Sequence, residues 1–213
     1  MRFPAIVFDM DGTLIDTEKV YVAARVETAA ELGFQDSEAF FHAQLGLPGA
    51  EMTANLLRHF GPDFPLAEFD RRRARRYGER LAQGIPAKPG AAELLAHCRA
   101  AGVACAVATS ARRETAETNL ARAGLRAGLA AIAGRDEVAR GKPHPDVFLL
   151  AAERLGFAPE QCLAVEDSHP GVRAAHAAGM TVAMVPDLVA PSEALRELCH
   201  FVVADLAALR AVI

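Results

Sequence analysis

Four short groups of residues have the types and spacing to do chemistry. Asp9 and Asp11 frame Asp9-Met10-Asp11-Gly12-Thr13-Leu14, directly after the apolar run Ala5–Phe8. Side chains two apart on extended backbone point the same way. The pair therefore sets two carboxylates at one tip, where they repel each other. A hard divalent cation relieves that repulsion, and an oxygen-only ligand set suits Mg2+. Gly12 lets the chain turn sharply away. Taken alone, an Asp-x-Asp pair reads more readily as a turn or helix cap with exposed acids. Thr109-Ser110 closes a second apolar run and opens a helical stretch. A hydroxyl with free N–H groups there makes an anion site, or a simple cap. In Gly141-Lys142-Pro143-His144-Pro145-Asp146, two prolines fix the backbone and hold Lys142 ahead of a helix. Such a lysine is a point charge suited to phosphate, or a surface residue in a Pro-rich turn. Val165-Glu166-Asp167-Ser168 puts a second acidic pair at a strand tip, offering further oxygen ligands or another capping Asp.

The elements that must position these groups alternate. Short apolar runs read as strands over Ala5–Phe8, Val103–Ala108, Leu129–Ala133, Cys162–Val165, Thr181–Val185 and Phe201–Val203. Helices are predicted over Ala91–Ala101, Arg112–Ala123, Asp146–Leu155 and Gly171–Ala178, each stopped by a following glycine. This rhythm predicts an α/β fold, a Rossmann-like parallel sheet with helices on both faces. Ligands in such a sheet bind beyond the carboxyl ends of the strands, where all four groups fall. Residues 16–87 break the rhythm with helical patterns over Thr17–Leu32, Glu51–Phe60 and Leu66–Gln83. The expected organisation is a core from residues 1–15 and 88–213, with an α-helical cap domain inserted over 16–87. Leu14–Asp16 and Gly84–Pro89 would be the hinge strands.

Composition narrows the function classes. With 213 residues, 52% of them hydrophobic, the chain can bury a substantial core. A net charge of −4 and a pI near 6.0 argue against a nucleic-acid or anionic-membrane partner. No apolar run is long enough for a membrane span. None of Cys98, Cys105, Cys162 and Cys199 forms a zinc-like pair. The expectation is a reduced, cytoplasmic chain, monomeric or weakly dimeric.

Taken together, the four groups resemble the haloacid dehalogenase-like hydrolase superfamily, phosphatase branch. The resemblance spans nearly the whole chain and is most specific in D-M-D-G-T-L, G-K-P-H-P-D and V-E-D-S-H-P-G. It is closest to the helical-cap group that includes β-phosphoglucomutases, phosphoglycolate phosphatases and sugar-phosphate phosphatases. It implies a Mg2+-dependent phosphatase acting on a small phosphorylated metabolite through an aspartyl-phosphate. By resemblance Asp9 is the nucleophile and Asp11 the acid and base. Thr109 binds the phosphoryl group with Ser110 beside it, and Lys142 bridges nucleophile and phosphoryl oxygens. The implied metal ligands are Asp9, Asp11 through its carbonyl, Asp167, and Glu166 as a ligand or a support. Asp9, Asp167 and a phosphate dianion carry four negative charges, of which a divalent cation and Lys142 return three. One unit-charge repulsion at 4 Å is worth about 4 kcal/mol at an effective dielectric of 20, roughly a thousandfold in rate.

In this family a cap loop reaches into the site, and Gly46 to Glu51 resembles it. β-Phosphoglucomutases carry an arginine in that loop, where this chain has Gly49-Ala50. The departure favours water over a sugar hydroxyl as phosphoryl acceptor; a phosphosugar mutase is the alternative. The run Arg71-Arg72-Arg73-Ala74-Arg75-Arg76 reads as a solvated face paired with Glu68, Asp70 and Glu79. In the functional reading Arg73 meets a substrate anion, and Arg112 is a further substrate contact. Phe34, Phe40, Phe41 and Phe60 are expected to form the insert's own core. A phospho-Asp receiver-like signalling module uses similar residue types. The insert and the Gly12-Thr13-Leu14 continuation argue against it.

Overall fold

The computed structural model describes residues 2–35, 38–45, 47, 49–187, 190–211 and 213. The chain divides into two compact units, Met1–Asp16 with Pro86–Ile213, and Thr17–Ile85. The first unit holds strands β1 (Ala5–Phe8), β2 (Ala104–Ala108), β3 (Ala131–Ala133), β4 (Cys162–Glu166), β5 (Thr181–Met184) and β6 (Phe201–Val202). All pairings are parallel, in the order β3-β2-β1-β4-β5-β6. After β3 the chain crosses to the other side of β1. The reversal leaves a crevice at the carboxyl end of β1, the place where doubly wound sheets bind ligands. Phe8 lies level with Val107 on one side and Val165 on the other. Asp9, Thr109 and Asp167 thus follow from strands that end together.

The helices of this unit are α5 (Ala91–Ala100), α6 (Arg113–Arg122), α7 (Asp146–Leu155), α8 (His169–Ala177), α9 (Glu193–Arg196) and α10 (Leu206–Arg210). One core layer sets Val147, Phe148 and Ala151 of α7 and Val172 and Ala175 of α8 against Ala5, Val7, Ala106 and Ala164. Alanines on the strands let these helices lie close, and Phe148 fills the remaining space. The alternate strand residues Ile6, Phe8 and Val107 are equally buried, so both sheet faces are covered.

The second unit contains α1 (Thr17–Glu31), α2 (Glu38–His42), α3 (Gly49–Phe60) and α4 (Leu66–Gln83). Its core holds Phe41, Phe64 and Phe69, with Phe34, Phe40 and Phe60 packed against it. Phe34 meets Phe60 edge-on at 5.6 Å, and Phe60 stacks on Phe64 at 5.0 Å. Aromatic pairs in these geometries add stability beyond their burial.

Several predicted boundaries shift. Helix α3 starts at Gly49 rather than Glu51, and β3 begins at Ala131 rather than Leu129. The expected hinge strands shrink to one bridge, Ile15 with Ala87, flanked by backbone hydrogen bonds from Asp16 to Pro86 and from Lys88 to Leu14. Pro86 and Pro89 cannot donate, so a longer ladder is not available there. Helices α2, α9 and α10 span at most five residues each, too few to show a helical period. Among the described residues no helix is long and apolar enough to cross a membrane.

One ion pair fastens the end of β3 to α7. Arg154 donates from both terminal nitrogens to Glu137, at 2.9 and 2.7 Å, and Gly134 N–H donates to the same carboxylate at 2.9 Å. The Arg154 bonds, against burial, hold the Glu137 carboxyl down at about 2. The native state therefore gains stability above the ordinary carboxyl value of 4.5, and loses it as pH falls from there through about 2. Glu137→Gln should cost about 1–3 kcal/mol at neutral pH. Urea midpoints should show the gap to wild type closing in acid, whereas a gap independent of pH would contradict this assignment.

Candidate active site

The loop after β1 is closed by its own backbone: Leu14 N–H donates to Met10 O at 2.9 Å, and Gly12 N–H to Ile15 O at 2.9 Å. Gly12 sits at φ +85°, and a Cβ there would run into the Asp167 carboxylate. Glycine is therefore needed both for conformation and for closeness. Thr13 Oγ1 donates to Asp167 Oδ1 at 3.2 Å, which ties the Asp9 loop to the tip of β4.

Asp9 continues β1, its N–H bonded to Val165 O at 2.8 Å. Lys142 Nζ donates to Asp9 Oδ1 at 2.5 Å and to Glu166 Oε1 at 2.6 Å. The lysine lies over the Phe148 ring, 5.0 Å from its centre, and its side chain is only 5% exposed. Burial alone would pull its ammonium down, but Asp9 and Glu166 outweigh it and hold the lysine above its usual range. It is a fixed positive charge. The Lys142–Pro143 peptide bond is cis.

Glu166 is fully buried. Its Oε2 accepts from the N–H groups of Asp167 and Ser168, at 2.9 and 2.8 Å, and from Ser168 Oγ at 2.9 Å. A Cβ on Gly171 would overlap this carboxylate. Both oxygens are thus engaged by the protein. Of the two readings of Glu166, ligand or support, these contacts accord with the support: it anchors Lys142 and the start of α8.

Thr109 is buried at the tip of β2, where Thr109 N–H donates to Ala133 O at 3.0 Å. Its Oγ1 accepts from Ala111 N–H at 3.0 Å, and the hydroxyl keeps a proton to donate. Asp11 is half-buried and its charge bears on Asp9.

Ser110 is exposed. Arg112 is 79% exposed and pairs with Asp136 at 3.7 Å, so its guanidinium is held by a neighbouring acid beside α6. Arg73 lies in the second unit, bonded to Asp70 at 2.7 Å. Its neighbours pair as well: Arg71 and Arg72 with Glu68, Arg75 with Glu79, and Arg76 with Glu27 and Glu31. Gly46 lies outside the described residues. Sequence reasoning missed Thr13 and Ser168 as supports. Both stand inside the motifs already singled out, and their hydroxyls next to acids were the available signal.

The charges at these tips do not balance. Asp9, Glu166 and Asp167 share one lysine. Burial pushes Asp9 up to about 7, Lys142 pulls against it and Glu166 adds to it. Burial likewise pushes Asp167 up to about 9, with the Asp9 and Glu166 charges adding to it. Lys142 is shared between Asp9 and Glu166, so the negative charge of Asp9 and Asp167 together exceeds what it offsets. Among the described residues no three His, Cys, Asp or Glu side chains form a metal cage. Two crowded carboxylates offer the all-oxygen donors that suit Mg2+, which keeps several waters and rarely takes an all-protein cage.

A family model for haloacid dehalogenase-like hydrolases matches residues 3–179. The chain belongs to this family and is an enzyme, a hydrolase. Protein CbbY of Rhodobacter capsulatus is 36% identical over 196 residues, covering 87% of this chain and 86% of its own length. Hexitol phosphatase A of Escherichia coli is 36% identical over 191 residues, covering 87% and 84%. The crystal structure of a HAD family hydrolase from Deinococcus radiodurans with bound phosphate and sodium superposes with a TM-score of 0.86. It is 32% identical and covers 99% of this chain and 95% of its own. Family membership removes the receiver-like reading.

Proposed function

We propose that the chain hydrolyses the phosphomonoester of a small metabolite, of the sugar-phosphate or phosphoglycolate type, with Asp9 as nucleophile and Mg2+ as cofactor. The observation that carries the reading is the Lys142 ammonium, 2.5 Å from Asp9 and 2.6 Å from Glu166 at the tips of a parallel sheet. Similarity to hexitol phosphatase A supports a polyol or sugar phosphate. Selectivity is assigned to the second unit.

The Asp9 carboxylate attacks phosphorus and the bond to the ester oxygen breaks. Asp11 gives its proton to that oxygen, so an alcohol leaves. Asp11 then takes a proton from water, whose oxygen attacks phosphorus. The bond to Asp9 breaks and inorganic phosphate departs. Thr109 donates its hydroxyl proton to a phosphoryl oxygen, and Lys142 offsets the charge of nucleophile and phosphoryl group. Asp9, Asp167 and the Asp11 carbonyl would hold Mg2+, which supplies positive charge against the phosphoryl oxygens.

A phosphate-release screen across small phosphorylated metabolites tests this. Release should require Mg2+ and stop on chelation. Asp11→Asn should slow it by about 10²- to 10⁴-fold. Rapid release by that variant would remove Asp11 from the proton transfers. Isomerisation without net release, given a sugar bisphosphate, would replace the phosphatase with a mutase.

A further inference from the structure

Lys142 reaches Asp9 from a long connection. Between β3 and α7 the chain runs over residues 134–145 with a single turn of 3-10 helix, Arg135–Glu137. A lysine stem is flexible, so the place of its ammonium depends on a backbone held firmly at its root. The Nζ nevertheless meets Asp9 and Glu166 at 2.5 and 2.6 Å. His144 N–H donates to Gly141 O at 3.0 Å and closes a turn around Lys142. That bond fixes the shape of the turn but does not fasten it to the sheet or its helices.

A second set of contacts does. Asp146 opens α7, and the next two residues, Val147 and Phe148, are buried in the core. Its carboxylate is therefore carried on a fixed element. Arg140, two residues ahead of Lys142, donates to it three times. Its backbone N–H and its Nε reach Oδ2 at 3.3 and 3.2 Å, and its Nη2 reaches Oδ1 at 2.9 Å. A forked guanidinium pair sets direction as well as distance. The Arg140 bonds hold the Asp146 carboxyl below its usual value, so the pair is charged at neutral pH. Earlier in the same connection, Arg135 Nη1 donates to Val138 O at 2.9 Å. A Cβ on Gly141 would run into the Arg135 side chain, so the two limbs of the loop lie close together. The Arg140 side chain is 59% exposed, and ion pairs at such positions add little to stability. What this pair fixes is geometry.

We propose that Arg140 and Asp146 are positioning residues, a clasp that fastens the root of Lys142 to α7 and so holds the ammonium on Asp9. The expected effect on rate rests on the phosphatase reading; the effect on Lys142 itself does not.

The test measures kcat and KM for phosphate release with Mg2+, beside the Lys142 side-chain ammonium signal in NMR spectra of the full chain. Loss of that signal in Lys142→Met or Lys142→Arg identifies it. In Asp146→Ala and in Arg140→Ala the signal should shift or broaden. Turnover should fall about tenfold to a hundredfold, the effect of a displacement near 1 Å, with KM little changed. Urea midpoints should stay close to wild type. The double alanine variant should be no slower than the slower single one, because the two residues act as a unit. Asp146→Glu, which keeps a carboxylate for Arg140, should recover part of the rate. Arg140→Ala, at the more exposed position, carries the test if Asp146→Ala does not fold. Wild-type kcat with an unmoved signal in the folded variants overturns the proposal. So does a fall in kcat with the signal unmoved, since the effect would then bypass Lys142. A moved signal at wild-type kcat upholds the clasp and counts instead against the part of Lys142 in the phosphatase reading. If the wild-type chain releases no phosphate, the signal alone decides.

Discussion

Replacing Asp9 by Asn will abolish turnover and leave the fold intact. The amide keeps the shape of the carboxylate but not its charge or nucleophilicity. Turnover should fall by about 10⁴-fold or more, as it does when a nucleophile is removed from a concerted set. Stability should not fall with it. Burial already pushes the Asp9 carboxyl up to about 7, so a neutral side chain suits that position in the absence of a cation. Lys142 retains Glu166 as a partner at 2.6 Å. Initial rates with a responsive phosphomonoester, beside urea midpoints, separate the two effects. A folded variant retaining more than about a hundredth of the rate would contradict the nucleophile assignment.

Lys142→Met will damage both activity and stability, the opposite pattern. The lysine is buried between two carboxylates, and methionine leaves Asp9 and Glu166 without their counter-charge. Breaking a buried pair from one side costs about 3–5 kcal/mol. Added Mg2+ should restore part of this, because it offsets charge at Asp9. Turnover should fall roughly a thousandfold, the rate equivalent of one unrelieved unit-charge repulsion near 4 Å. Lys142→Arg should not rescue it, since a planar fork does not fit the space of a compact ammonium. Calorimetry with and without Mg2+, and rates at saturating substrate, check these outcomes. Near-wild-type turnover by a folded methionine variant would make Lys142 a structural residue only.

Sequence reading succeeded where the information was local. Asp9, Gly12 and the turn they open belong to six consecutive residues after an apolar run, and the parallel sheet follows from alternation. Lys142 is followed by two prolines, on either side of His144, that hold it ahead of a helix. What could not be read depends on partners distant in the chain. Glu166 reads as a ligand or a support because it stands beside Asp167. Its contacts as a support became visible only when Lys142, 24 residues earlier, and the amides of Asp167 and Ser168 were seen to occupy both oxygens. The arginine run was half legible. Pairs with Glu68, Asp70 and Glu79 follow from helical spacing, but those of Arg76 with Glu27 and Glu31 cross from α4 to α1. Gly46, assigned to the cap loop, lies outside the described residues.

The central claim is that a covalent phosphoryl group forms on Asp9, and direct trapping tests it most simply. The Asp11→Asn chain, supplied with Mg2+ and a hydrolysable phosphomonoester, should be quenched in acid within one turnover, digested and weighed by mass spectrometry. A phosphoryl increment on the peptide carrying Asp9, absent when Asp9 is also replaced by Asn, is the predicted result. Phosphate released in the same time course with the Asp9 peptide at its unmodified mass would contradict the account.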